Sequence, residues 1–454
     1  MSGLYGSKTG VLEVAAATLD RSSTTILESL NEATGNGYAR GVFGKWHLGS
    51  RNDGSHPNDQ GADHFMGYLA GSPGDYFNWN RVDDGVSSTS AEYLTTEITS
   101  DAISWIDQQV QPWMVWMAHG APHTPFHYPP DSLFTRPQTG DDLSQYLAMI
   151  ESVDHEVGRL LDSLTSEERE NTLVMFIGDN GTPQSVLQGF PSRRGKGTLY
   201  QGGLNVPMIV SGAGVSRIGE IDSSLVHVMD IHASILEAVG QDLDGGILNS
   251  FSFYDLLKDS AALSRPFLLS EMTTDAGYAS AIRNDRYKLI EYASGASEFF
   301  DLSADRFEID NLETAGLSVE HQAIKDELHA EAELQFQGWS CQDGIVNGDE
   351  TIGSCAMSTF LEQEFFPQED QPLQAYPNPT AGIVFISISS LLMEMPTEII
   401  VFNMTGQEVK RNAAAFRPAK TRISLVGLPP GSYIIQVRPV ESMKGASSTL
   451  VAKL

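Results

Sequence analysis

Basic residues are scarce in this chain. Its 28 Lys plus Arg stand against 59 Asp plus Glu, a formal charge of −31. That balance argues against nucleic acid as a partner, because phosphate backbones are held by basic footprints. It also repels anionic polysaccharides at long range, so an anionic substrate needs a local basic pocket; salt shortens the repulsion to roughly 8 Å near 0.15 M. Long apolar runs are missing too. No stretch of 18 apolar residues occurs, so no membrane-spanning helix is expected. Met1-Ser2-Gly3-Leu4-Tyr5 has neither the basic nor the apolar region of a signal peptide, which by itself suggests a cytoplasmic protein. Cysteine is nearly absent, with only Cys341 and Cys355. What remains is ordinary for a globular core: 41% hydrophobic residues in 454, enough for two or more domains.

Thr25-Ile26-Leu27-Glu28 has the form of a capping box, with Thr25 as N-cap and Glu28 at N3; Gly35 and Gly37 end that helix. A short apolar run, Gly41-Val42-Phe43, then leads into Gly44-Lys45-Trp46-His47-Leu48-Gly49. If the run is a strand, Lys45 and His47 point the same way. A cation beside a titratable proton donor suits an oxyanion such as a sulfate or phosphate ester. Pro112 to Ala118 is a fully apolar strand candidate leading into His119 to Pro130. Helical spacing runs from Leu143 to Leu164. Asn171 to Ile177 is a buried-strand run ending in Gly178-Asp179-Asn180-Gly181; Gly203 to Ser211 predicts another strand and Ser224 to Val239 another helix. Strands alternating with helices point to a mostly parallel α/β sheet, where functional residues gather beyond the carboxyl ends of the strands. Lys45/His47, His119/His123 and Asp179/Asn180 all fall at such ends.

Each group also has a plain structural reading. Asp179 and Asn180 offer hard oxygens suited to Ca²⁺ or Mg²⁺, but Asp-Asn-Gly is an ordinary turn as well. His123 sits between prolines, a rigid mount for a proton donor, though a lone loop histidine is often just solvated. Arg193-Arg194-Gly195-Lys196-Gly197 is a basic loop able to hold an oxyanion, or a solvated turn. His155, His227 and His232 lie in helical patterns and read as structural.

In order, G-K-W-H-L-G (Gly44 to Gly49), P-H-x-P (Pro122 to Pro125), D-N-G (Asp179 to Gly181) and K-G-x-x-Y-x-G-G-x-x-V-P (Lys196 to Pro207) resemble the sulfatase family over residues 1–336. Gly61 to Gly71, Ala281 to Ile290 and Phe300-Asp301-Leu302 with Asn311-Leu312 agree with it. The resemblance implies an alkaline-phosphatase-like fold. It also implies that Lys45, His123 and Lys196 grip the sulfate oxygens, that His47 hydrogen-bonds the nucleophile, and that Asp179 and Asn180 complete a Ca²⁺ site. Gln201 departs from the family, where glutamate is more frequent. A larger departure lies at the start. Family members carry a C-x-P-S-R-type motif whose cysteine or serine becomes formylglycine, the hydrated nucleophile that attacks sulfur. Met1 to Val11 resembles the segment just after that motif. The chain therefore reads as N-terminally truncated, without the first strand, the formylglycine position or the Asp-Asp pair that helps bind Ca²⁺. The 454-residue chain itself is expected not to turn over sulfate esters by this route.

Residues 337–372 form an acidic segment in which Cys341 to Cys355 resembles a short linker module of secreted proteins. Two cysteines closing such a loop fit a disulfide and an oxidising compartment; Asp343, Asp349 and Glu350 read as a solvated turn or as Ca²⁺ ligands. Tyr376-Pro377-Asn378-Pro379-Thr380-Ala381-Gly382 opens period-2 strands at Ile383 to Ile388, Glu398 to Phe402 and Ser432 to Val437, the pattern of a small β-sandwich. Residues 373–454 resemble a type IX secretion sorting domain. That implies the type IX machinery as partner, a secreted or cell-surface protein, and a signal peptide lost with the upstream segment. The implied function is a sulfuric ester hydrolase acting on a sulfated polysaccharide, its oligosaccharides or an aryl sulfate. The alternatives are a phosphodiesterase or phosphonate hydrolase of the same superfamily, or a non-catalytic surface binder of sulfated glycans. In the Ser72 to Ser90 loop, Tyr76, Phe77 and Trp79 could stack on sugar rings or pack into the core.

Overall fold

The computed structural model describes residues 2–9, 11, 18–243, 246–259, 265–274, 277–336, 375–376, 383–387, 397–403, 407–415, 420–425, 428–429, 431–439 and 447–453. The chain divides into two compact units, Met1–Ser340 and Cys341–Leu454. The linker readings (Cys341, Cys355, Asp343, Asp349 and Glu350) lie outside the described residues. No described helix is long and apolar enough to cross a membrane.

The first unit is built on strands β1 (Ala39–Lys45), β2 (His64–Tyr68), β3 (Trp79–Asp83), β4 (Val86–Ser90) and β5 (Trp113–Ala118), in the order β4-β3-β2-β1-β5. β1 runs parallel to both β2 and β5, and Gly44 stands opposite Gly67 on one side and Ala118 on the other. β3 and β4 extend the sheet as an antiparallel hairpin. The sheet is thus mixed: β2, β1 and β5 run parallel on one side, with β5 at the edge, and the antiparallel hairpin closes the other. Phe43 and Met66 on this sheet pack with Leu94, Ile98 and Ala102 of helix Leu94–Ile106 and with Met149 of helix Asp142–Ser163. Each of the larger side chains among these stabilises the fold by about 1.5–3 kcal/mol. The helix Ile26–Thr34 has both halves of its capping box, Thr25 and Glu28, and ends at Gly35 in the left-handed conformation.

Strands β6 (Leu173–Ile177) and β7 (Met208–Gly212) form a separate antiparallel pair. Among the described residues no ladder joins it to β5. All six β5 residues are apolar yet only half-buried, and Phe176 and Ile209 are 41% and 62% exposed. Two boundaries differ from the sequence reading. The Gly203 to Ser211 run is strand only from Met208, because Gln201–Leu204 coils into a helical turn. The helix expected from Ser224 begins at Asp230, whose carboxylate accepts from the N–H groups of His227 and Phe251 and pairs with Arg265.

A two-residue pair, β8 (Gly246–Ile247) and β9 (Ser250–Phe251), precedes an antiparallel meander. Its strands are β10 (Leu268–Thr274), β11 (Gly277–Arg283), β12 (Tyr287–Tyr292) and β13 (Ser297–Asp301). Its alternating side chains bury two faces. Leu269, Ile282, Leu289 and Phe299 meet Leu328 of helix Val319–Phe336, while Ala281, Ile290 and Phe300 meet Leu199 of the loop that follows Lys196.

The second unit pairs β14 (Ala375–Tyr376), β15 (Ile383–Ser387) and β18 (Lys420–Ser424) in one antiparallel sheet. Another holds β16 (Thr397–Asn403), β17 (Glu408–Ala415), β19 (Gly431–Pro439) and β20 (Ser447–Lys453), in the order β17-β16-β19-β20. Ile399 and Val401, Ile423, and Ile435 and Val437 share one buried core, at alternate positions along each strand.

Candidate active site

Lys45 is the last residue of β1. The next two N–H groups, of Trp46 and His47, still donate to Tyr68 O and Leu69 O, at 3.0 and 3.3 Å. His47 then takes a left-handed φ of 53°, so strand alternation does not set its direction as the sequence pattern suggested. A turn does. Glycine at position 71 leaves room for the His47 ring, since an added Cβ there would sit 2.6 Å from it and displace it.

His123 lies beyond β5, where the peptides before Pro122 and Pro125 are both cis. Its Nδ1 lies 2.9 Å from Thr124 O. The tautomer that donates there leaves Nε2 as the reactive nitrogen. Ser72 Oγ donates to Thr124 O at 3.0 Å and Tyr76 OH donates to His123 O at 2.8 Å, so the segment from Gly71 to Tyr76 touches both histidine turns.

Asp179 and Asn180 follow β6 directly and are exposed. The Lys196 N–H donates to Thr182 O at 2.8 Å, and the Gly181 N–H to Gly203 O at 2.9 Å. The loop carrying Lys196 therefore also braces the Asp-Asn turn. Behind it, Glu308 Oε2 accepts from the Gln201 N–H at 2.6 Å, and Glu308 Oε1 lies 2.6 Å from Lys288 Nζ. Arg194 is committed elsewhere: its guanidinium lies 4.3 Å from the Tyr200 ring centroid and donates to Phe307 O. Of the basic loop's cations, Lys196 is the one that acts on the cluster.

Charge brings these turns into one neighbourhood. Burial, then Lys196, holds the Lys45 ammonium below its ordinary pKa, and Asp179 opposes this. Burial also lowers His47, with Lys45, Arg51, His123 and Lys196 adding to it. Burial lowers His123; Lys196 and Lys45 push the same way, while the Thr124 carbonyl and Asp179 push back. Four of the expected residues (Lys45, His47, His123 and Lys196) thus share one field with Asp179. Asn180 adjoins it through the chain. Two groups not singled out by their spacing join them. Arg51 adds a cation two residues past the glycine motif. Tyr68 has a buried hydroxyl without a hydrogen-bond partner, raised in pKa by burial and by Asp179. His119, also at the end of β5, is drawn to about 4 by burial and stays neutral.

Asp179 and Asn180 have the donor chemistry of a hard-cation site. They supply two of the six to eight oxygens Ca²⁺ takes. Among the described residues the one compact His/Asp/Glu group is His64, Asp83 and Asp84. There His64 Nδ1 and Nε2 are 2.8 and 2.9 Å from Asp84 and Asp101. Both ring nitrogens are occupied, and the group is an ion-pair cluster rather than a metal centre.

A mixed α/β sheet flanked by helices, with cations and imidazoles beyond the ends of β1 and β5 and hard oxygens beyond β6, defines a fold of the alkaline-phosphatase-like class. Residues 1–241 match the sulfatase family, and residues 374–449 match the secretion system C-terminal sorting domain. The chain belongs to the sulfatase family. It is 28% identical over 235 residues to the uncharacterized sulfatase YdeN of Escherichia coli (strain K12), covering 44% of this chain and 41% of that protein. It is 32% identical over 282 residues to an arylsulfatase of Hemicentrotus pulcherrimus, covering 56% and 48%. The chain thus spans less than half the length of these two relatives. The structure of BT4656 in complex with its substrate, D-glucosamine-2-N,6-O-disulfate, superposes with a TM-score of 0.62 at 20% identity, over 74% of this chain and 87% of that one. That likeness is one of fold.

Proposed function

We propose that this site holds the sulfate group of a sulfated carbohydrate, and that it belongs to a sulfuric ester hydrolase. The observation that carries the reading is the shared electrostatic neighbourhood of Lys45, His47, His123, Lys196 and Asp179. In an acidic chain, that is the local basic pocket an anionic group requires. The reaction converts R–O–SO₃⁻ and water into R–OH, sulfate and a proton. Lys45 and Lys196 neutralise the sulfate oxygens as charge builds on them. His123 Nε2 binds the ester and delivers a proton to the departing alkoxide; His47 hydrogen-bonds the nucleophile. A formylglycine hydrate, which the family places just before the segment resembling Met1 to Val11, would supply the attacking oxygen. Asp179 and Asn180 are the residues that would hold Ca²⁺, which as a Lewis acid would polarise a sulfate oxygen.

The carbohydrate part rests on the sorting domain, which points to type IX export to the cell surface or medium, and on the saccharide bound by BT4656. Titration calorimetry of the chain with inorganic sulfate and a sulfated disaccharide tests the site. Binding that is weakened tenfold or more in both Lys45→Ala and Lys196→Ala is expected. Wild-type affinity in those variants would remove the reading.

A further inference from the structure

Of the three aromatics in the segment after Gly71, Tyr76 and Trp79, the latter already in β3, are buried at 1% exposure and belong to the core. Phe77 is different. It is 42% exposed, and the only other large aromatic so exposed among the described residues is Phe176 on β6. Its place matters more than its exposure. Gly71 abuts the His47 ring, Ser72 bonds the Thr124 carbonyl, and Tyr76 bonds the His123 carbonyl. The loop is therefore the wall running from one active-site histidine to the other, with Phe77 next along it.

The ring is held, not loose. The Phe77 backbone N–H donates to Asp75 Oδ1 at 2.7 Å, and the ring centroid lies 5.1 Å from Tyr93 and 5.4 Å from His127. His127 is fixed in turn, with Nδ1 at 2.9 Å from Pro125 O and Nε2 at 3.2 Å from Tyr93 OH. A rigid aromatic face at the rim of a polar site matches the apolar C–H face of a pyranose ring. Asp75 beside it is exposed, and a carboxylate there favours hydroxyl groups over a second anion.

Resting on the sulfate-site reading, we infer that Phe77 forms a sugar subsite. It stacks an unsulfated pyranose of a substrate longer than one ring, while the sulfated residue occupies the Lys45–His123–Lys196 pocket. The test measures binding of inorganic sulfate and of a monosulfated tetrasaccharide to the full chain, Phe77→Ala and Phe77→Trp. The alanine variant should bind the tetrasaccharide about tenfold more weakly and sulfate equally well, and tryptophan should restore the tetrasaccharide. Equal tetrasaccharide binding by wild type and Phe77→Ala overturns the subsite. So does sulfate binding without tetrasaccharide binding, which leaves the sulfate site standing. Failure of wild type to bind either ligand overturns both readings.

Discussion

Lys288 Nζ and Glu308 Oε1 lie 2.6 Å apart with side-chain exposures of 1% and 0%, beneath the loop that carries Lys196. Glu308 takes a left-handed backbone, φ 58°, and uses its other oxygen to accept from the Gln201 N–H. Burial pulls the lysine's pKa down, and its partner pulls the other way. Glu308→Ala would leave a buried cation unpaired, a loss of about 3–5 kcal/mol. Replacing both partners, as Lys288→Met with Glu308→Gln, should be far milder because the amide oxygen still accepts from Gln201. Denaturant unfolding reads the stability. Amide exchange over residues 195–204 should rise in Glu308→Ala ahead of the rest of the unit.

Oxyanion binding should take up protons. Burial and neighbouring cations hold His47 and His123 below their ordinary pKa in the free protein. A bound anion favours both imidazolium forms, so their pKa values rise on binding. Affinity for sulfate should therefore strengthen as pH falls from 8 towards 6. Calorimetry in two buffers of different ionisation enthalpy counts the protons, and pH-independent affinity would contradict the assignment.

Gly71→Ala places a methyl carbon 2.6 Å from the His47 ring, so the ring must shift to make room. The expected loss is about 1–3 kcal/mol of stability, with sulfate affinity falling beyond what Gly74→Ala produces. Gly74 is a useful control because nothing lies within 4 Å of an added Cβ there, although its positive φ adds backbone strain.

His64 ties the β3–β4 turn to helix Leu94–Ile106 through Asp84 and Asp101. Burial works against its charge, but the bonds to Asp101 and Asp84 outweigh it and raise the pKa to about 9. A base whose pKa is raised in the fold contributes stability that is complete below its unfolded value and lost as pH rises through the folded one. Melting temperature should therefore decline between pH 7 and 10. His64→Gln should melt lower than wild type at pH 7 and be nearly flat across that range.

Most of the cluster was legible in the sequence because its members follow strands with recognisable local pattern (Val42-Phe43 before Lys45, Trp113 to Ala118 before His123, Leu173 to Ile177 before Asp179), while Lys196 was marked by its basic, glycine-bearing loop. The ends of β1 and β5 lie side by side in one sheet, so there short-range signals sufficed; β6 belongs to a separate pair, and its nearness was not written in its own pattern. The supports were not legible. Glu308 reaches Gln201 across 107 residues and His64 reaches Asp101 across 37, and neither separation leaves a periodic trace. The turn at Gln201–Leu204 was hidden for the same reason: the carboxylate fixing its first N–H comes from Glu308. Phe77 and Trp79 are alike in sequence and opposite in burial, a difference decided by which one the β3 ladder captures.

The edge of β5 has a colloidal consequence. Trp113 to Ala118 present apolar side chains that are only half-covered and, among the described residues, a row of backbone donors and acceptors with no ladder partner. Such an edge templates pairing with another copy. The purified chain should therefore self-associate as its concentration rises despite a charge of −31. High salt, which screens that charge, should make the effect worse, and light scattering against salt would show it. The acidic surface then serves to keep molecules apart whose sheets would otherwise join.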